Sequence, residues 1–222
     1  MQNKKFAALV IAGFAFLALF LTFISAVRDI VPQVAEYRAA ERVYQEIREV
    51  ARPSVEVVDD NAEDEEPQGI DWVALRHLNP DIVGWLVVED TTIDYPIVRG
   101  WDNEWYLHRT VTGERNASGS IFMDYRNDTG FFDPHTLIHG HNMQNGAMFA
   151  GLHDFTGGTF RIYTPHRVLE YEVFSKRTVS ATDTLYLLPP LEEHEGRIVT
   201  LSTCVFRRDD LRFVVQGRLL EG

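Results

Sequence analysis

From Phe6 to Val27 the chain carries no charged residue. At a rise of about 1.5 Å per residue, a helix of that length crosses a hydrocarbon core roughly 30 Å thick, so the run predicts a transmembrane helix. A cleaved signal peptide is the rival reading. Its apolar region is usually about 7 to 15 residues long, however, and Ser25-Ala26-Val27-Arg28 is a poor small-x-small cleavage site. Lys4 and Lys5 precede the run and favour a cytoplasmic N-terminus, with Arg28 weakening the bias. Residues 1–28 are therefore read as a cytoplasmic tip and membrane anchor, with everything after them outside the cell.

Beyond the anchor the period changes. Ile30, Val34, Tyr37, Tyr44 and Ile47 recur at helical spacing with Arg and Glu opposite, so 29–52 reads as an amphipathic stalk helix. Pro32 suits its first turn and Pro53 its end. Over 53–69 the pattern is lost, and Asp59, Asp60, Glu63, Asp64, Glu65 and Glu66 mark an acidic linker that cannot bury apolar surface. A short helix at 71–78 closes on Asn79-Pro80. Short β-branched and aromatic runs follow near 82–88, 93–98, 119–124, 136–140, 159–164, 167–175, 197–204 and 211–219. Eight short strands with few helices predict a mainly β domain over 70–222, a closed or nearly closed barrel with short peripheral helices.

Composition narrows the chemistry. The 222 residues, 45% hydrophobic and 24% charged, suffice for one packed domain plus an accessory segment. A net charge of -12 argues against nucleic acid as a partner. No glycine-rich phosphate loop occurs and no cofactor is expected. The single cysteine, Cys204, cannot form an internal disulfide, so outside the cytoplasm it is either catalytic or a bland buried thiol.

In Ile198-Val199-Thr200-Leu201-Ser202-Thr203-Cys204, strand parity puts Cys204 with Ser202 and Thr200, opposite Val199 and Leu201. A structural thiol would more naturally share the apolar face. In the next strand Arg212 opposes the Leu211, Phe213 and Val215 face. If the two strands pair, the guanidinium comes near the thiol, where it can favour the thiolate or donate to an oxyanion. A thiol of ordinary pKa also needs a base, most often histidine. His135, His139 and His141 cluster at the end of a strand that enters a Gly and Asn turn. His139-Gly140-His141 could alternatively be a metal site, completed by Asp133 or Asp154.

T-L-S-T-C at 200–204, Arg212 in L-R-F-V-V-Q-G-R-L and G-H-N-M-Q-N-G-A-M-F at 140–149 resemble a class B sortase. The resemblance continues through N-P-D-I-V-G-W-L at 79–86, D-Y-P-I-V-R-G at 94–100, D-N-E-W-Y-L-H at 102–108 and G-S-I-F-M-D-Y-R-N at 119–127. It covers nearly everything from Ile70 onward. It implies the sortase β-barrel, with Cys204 as nucleophile, His141 as general acid or base and Arg212 as oxyanion or substrate clamp. Thr203, Ser202, Asn142 and Met143 become candidate substrate-binding residues, and no metal is implied.

The implied reaction cuts a surface protein's C-terminal sorting signal after threonine. The resulting thioacyl enzyme is resolved by an amine of a cell-wall precursor or peptidoglycan. The implied partners are those two substrates and the membrane, through residues 6–27. Two departures stand out: His139 occupies a position where relatives often carry tyrosine, and the segment from Lys176 to Gly196 is shorter than the usual helix-bearing insertion. Rival readings are a hydrolytic cell-wall cysteine peptidase, a pilus-assembly transpeptidase and a non-catalytic anchored binding domain.

Overall fold

A computed structural model of the chain describes residues 2–52, 69–187 and 196–220. The chain forms two compact units, Met1–Ala39 and Ala40–Gly222. A single helix, α1 (Gln2–Ala51), runs through the whole N-terminal region. It is long and apolar enough to cross a membrane, the one such helix among the described residues. Two helices with Pro32 opening the second are expected from the sequence; instead Pro32 lies inside the one helix. The cost of an interior proline is the hydrogen bond its missing N–H would have made to the carbonyl four residues earlier, and the flanking turns propagate past it. The acidic linker lies almost wholly outside the described residues.

In the larger unit the last turns of α1 bury Ala40, Tyr44, Ile47 and Ala51 at spacings of four and three, a helical stripe that starts later than the one read from the sequence. The Tyr44 hydroxyl donates to the Gly119 carbonyl at 2.7 Å. Helix α2 (Trp72–Leu78) follows, with the Asp71 side chain accepting from the Ala74 N–H at its N-terminus.

Eight strands make the barrel: β1 (Ile82–Val88), β2 (Asp94–Val98), β3 (Ile121–Met123), β4 (His135–His139), β5 (Thr159–Tyr163), β6 (Val168–Ser180), β7 (Ile198–Val205) and β8 (Arg208–Leu219). Each coincides with an expected strand. They close in the order β1-β2-β3-β4-β7-β8-β6-β5, with β2–β3 and β4–β7 parallel and the other pairs antiparallel. Closure removes the unpaired edges that would otherwise invite aggregation. Trp85, Leu86, Ile97, Ile138, Phe160, Ile162, Leu201 and Val215 are fully buried and fill the core.

Two features differ from the sequence pattern. β6 runs on to Ser180, five residues past its expected end, because β8 offers it a ladder that pairs Arg177 with Val214, Val179 with Arg212 and Ser180 with Leu211. The polar face of β7 is also buried. Thr200 sits between the His135 ring, 2.8 Å away, and the Gln216 amide at 3.2 Å, a side-chain ladder across β4, β7 and β8. A 3-10 turn at Thr184–Leu187 covers this face, where Leu185 packs with Leu137, Val179 and Val214. The short segment after β6 therefore forms a cover against the strands that carry Cys204 and Arg212.

Candidate active site

The site grows from the β4–β7–β8 ladder. In register, His139 faces Ser202 across β4–β7, and Cys204 faces Arg212 across β7–β8. The two strands are joined by the tight turn at Phe206–Arg207, so thiol and guanidinium are brought together by local pairing. A register irregularity falls immediately after this pair, between Cys204 and Val205, and ends the regular alternation where the thiol emerges. Cys204 is a free thiol, half-buried.

His141 arrives from the loop after β4. Thr203 and Gly140 fasten that loop to β7: the Thr203 hydroxyl donates to the Gly140 carbonyl at 2.8 Å, and the Gly140 N–H donates to the Ser202 carbonyl at 3.1 Å. The His141 Nε2 lies 2.7 Å from the Leu107 carbonyl. A carbonyl only accepts, so Nε2 carries the hydrogen, and in the neutral ring Nδ1 is the proton acceptor. Burial pushes the His141 pKa below its ordinary 6.5; the Leu107 bond pulls the other way, and the neighbouring His108 adds to the lowering. The ring is thus neutral, and basic at Nδ1, near pH 7.

Cys204, His141 and Arg212 line one cavity of about 380 Å³, together with Ser202 and Thr203. Asn142 and Met143 do not line it. The Asn142 amide donates to the Cys204 carbonyl at 3.0 Å and so holds the end of β7, while Met143 is buried. Thr203 is buried as well, so its visible task is to fix the His141 loop. Arg212 is anchored through Nη1 alone, to the carbonyls of Asp209 at 2.8 Å and Leu211 at 2.9 Å. Its Nη2 and Nε donors have no partner among the described residues.

Other lining residues were not singled out from the sequence. Asp124, Arg126, Asn103, Leu107 and Tyr186 all contribute. Burial pushes the Asp124 carboxyl up, but the bonds from Arg126 and Asn103, with the His139 ring nearby, outweigh it and hold the pKa well below the carboxylate range. Arg126 grips it with a two-pronged contact at 2.8 and 2.7 Å. His139 stands 3.6 Å from the same carboxylate and under the Tyr186 ring, and the Tyr186 hydroxyl bonds Ser202 at 2.7 Å. The Asp-x-Arg spacing at 124–126 was the available signal. Tyr186 lay in a segment with no pattern. Among the described residues no group of three or more His, Cys, Asp or Glu is placed to hold a metal ion.

A single thiol with a neutral imidazole and a guanidinium, at the open ends of parallel strands in a mixed barrel, defines a cysteine acyl-transfer enzyme, and comparison with known proteins places it. The Sortase domain family model matches residues 86–220, and the chain belongs to the sortase family. Within that family its relatives are of class B. Sortase B of Listeria monocytogenes is 36% identical over 178 residues, 66% of this chain and 72% of the relative. The crystal structure of sortase B from Bacillus anthracis in complex with AAEK1 superposes with a TM-score of 0.67 at 29% identity, covering 85% of this chain and all of that one. A Streptococcus pyogenes class B sortase involved in pilus biogenesis matches at 32% identity and a TM-score of 0.60, over 68% of this chain and 99% of its own. Sortases are cysteine transpeptidases, and this chain is one of them.

Proposed function

We propose that the chain is a membrane-anchored transpeptidase that cleaves a C-terminal sorting signal after threonine and transfers the acyl group to a cell-wall amine. Cys204 is the nucleophile. The Nδ1 of neutral His141 takes the thiol proton as sulfur attacks the carbonyl carbon, and returns it to the leaving amine as the peptide C–N bond breaks. The free N–H donors of Arg212 bind the oxyanion. An amine from a wall precursor or peptidoglycan then attacks the thioester, releasing the thiol. Ser202 and Thr203 line the groove for the signal, and the Asn142-Met143 turn borders it.

The observation that carries this reading is the pairing of Cys204 with Arg212 in one cavity with His141. The test is mass spectrometry of the protein mixed with sorting-signal peptides. A thioacyl adduct is expected on Cys204 and none on Cys204→Ala, and a Cys204→Ala variant that still cleaves peptide would refute the assignment. Product analysis with and without added amine separates transfer from hydrolysis. A pilus-type acceptor is the second reading, favoured by likeness to the streptococcal pilus-biogenesis enzyme; lysine side chains of a surface protein would then outcompete wall amines. In the anchored state residues 6–27 span the membrane with the N-terminus cytoplasmic and the barrel outside, so protease added to intact cells should reach the barrel.

A further inference from the structure

The barrel holds a second cavity, of about 590 Å³, at the other end of the strands from Cys204. β4 and β7 run parallel, and both begin near it and finish at the catalytic cavity. From Arg197 to Cys204 is seven residue steps of strand, about 23 Å at 3.3 Å per residue, so a ligand here does not touch the thiol. Ile82, Val83 and Pro165 give the cavity an apolar wall, Arg76 and Arg167 give it cations, and the His166 ring lies beside them.

The loop between β3 and β4 shapes one side. Phe131 takes a φ of +58°, a left-handed conformation that bulky residues rarely adopt. The turn sends Phe131 into the core, 1% exposed, and leaves its neighbour Phe132 65% exposed at the cavity. The Arg167 guanidinium lies 4.6 Å from the Phe132 ring centre, and that of Arg197 lies 5.9 Å from it. The same loop pins both through one bond each, Arg167 to the Gly130 carbonyl and Arg197 to the Phe131 carbonyl. The ring thus orients two guanidiniums, most of whose N–H donors have no partner among the described residues.

Among the described residues, Arg76, Arg167 and Arg197 join no ion pair. The carboxylates on adjacent elements are engaged elsewhere. Asp81 accepts from the Tyr106 hydroxyl, Asp128 from the Gly130 N–H and Asp133 from the Asn127 amide, and none lines the cavity. In a chain of net charge -12, the described lining of this cavity carries arginine and no carboxylate. Screening over about 8 to 10 Å lets the local cluster rather than the distant acids set the potential.

We propose that this cavity binds a phosphorylated small molecule. Arg76 and Arg167 reach the cavity from two separate segments, with Arg197 beside the Phe132 ring, and such a set suits a phosphate ester, whose tetrahedral oxygens take donors from several directions, better than a planar carboxylate, which one arginine satisfies in bidentate fashion. The volume far exceeds a phosphate and falls in the range of small-molecule pockets, so a ring-sized or glycerol-sized portion rests on Ile82, Val83 and Pro165. The source is either a soluble sugar phosphate or a lipid headgroup, and both share this chemistry.

The full chain in neutral detergent is titrated calorimetrically with N-acetylglucosamine 1-phosphate, with dihexanoyl phosphatidylglycerol below its micelle concentration, with inorganic phosphate and with uncharged N-acetylglucosamine. One of the first two is expected to bind more tightly than phosphate, and which one identifies the source; the neutral sugar is expected not to bind. Arg167→Gln and Phe132→Ala should each weaken binding by about tenfold or more, as loss of a charge-assisted contact predicts. Both positions sit at the surface, and the rate of Cys204 alkylation should be unchanged in both variants. Absence of binding by both phosphorylated probes, equal binding of the neutral sugar, or unaltered affinity in both variants would overturn the proposal.

Discussion

Replacing Arg212 by lysine keeps the positive charge beside the Cys204 partner position but removes the fork. Nη1 alone is occupied, by the Asp209 and Leu211 carbonyls, which leaves Nη2 and Nε for a developing oxyanion. A lysine ammonium sits on one atom. It can take over the two carbonyls or reach the oxyanion, and it cannot hold both geometries at once. The expected loss is that of one oxyanion donor, about 2.7 to 4 kcal/mol, or roughly 10² to 10³ in the acylation step. Ground-state binding of the peptide is left largely intact, so the loss should fall on kcat and leave KM nearly constant.

The assay is single-turnover acylation by a sorting-signal peptide, followed by mass, with the iodoacetamide rate measured in parallel. The alkylation control separates two roles for the guanidinium. If Arg212 acts on the oxyanion, the thiol of Arg212→Lys alkylates as in the parent while acylation collapses. If it acts on the thiolate through its charge, lysine retains that effect and the charge-removing Arg212→Gln lowers both rates together. Unchanged acylation in Arg212→Lys would remove the residue from the mechanism, whatever its register with Cys204.

Three further perturbations test the supports of the site. Because His141 is depressed below 6.5 and works as the neutral base, acylation should hold steady as pH falls from 8 to 6.5 and drop only below that; an acidic limb above 7 contradicts the assignment. Asp124→Asn should cost about 2 kcal/mol at pH 7, read by thermal or urea unfolding, since Arg126 and Asn103 lose a charged acceptor. The folded pKa of Asp124 is depressed, so its stabilisation is fully present above the unfolded value near 3.8 and is lost below it; the gap between parent and variant should narrow in acid. Gly119 has a φ of +58°, and a Cβ there would lie 2.5 Å from the Leu107 carbonyl oxygen that holds His141. Gly119→Ala should therefore lower stability by about 1 to 3 kcal/mol and slow acylation as well; unaltered acylation would show that the Leu107 contact does not position the ring.

What the sequence revealed and what it hid divide along a physical line. Period-two patterning marked all eight strands, because each buries at least one face, and the short link between the last two made them ladder neighbours. That was enough to bring Arg212 to Cys204. Barrel closure through β1 and β5 depends on pairings between distant strands and has no local signature. Equally hidden was the burial of Thr200 and Ser202, which parity puts on the polar face of their strand, and of His135 beside them. They are buried because the turn carrying Leu185 and Tyr186 folds over them, and the loss of water is made up by the Thr200 bonds to His135 and Gln216 and by the Ser202 bond to Tyr186. The end of β6 was misjudged for a related reason: Arg177 and Thr178 continue a strand only because β8 supplies partners.

The charges around the cavity give that hidden network a purpose. Among the described residues Arg126 and Arg212 line it against one carboxylate, Asp124, with the His139 and His141 rings also in the lining. Arg126 spends its charge on that carboxylate at contact distance, and His139 stands 3.6 Å from the same oxygen that Arg126 holds. Among the described residues, Arg212 is then the full positive charge in the lining with no counter-ion. It faces the thiol across the ladder, and the Tyr186 phenol feels both groups. In water the attraction between a guanidinium and an anion a few ångströms away is only about 1 kcal/mol, and it grows several-fold where low-dielectric walls exclude solvent. Leu107, Phe122 and Tyr186 supply such walls. In the proposed mechanism, the capture of Asp124 by Arg126 leaves the charge of Arg212 for the sulfur and for the oxyanion that follows.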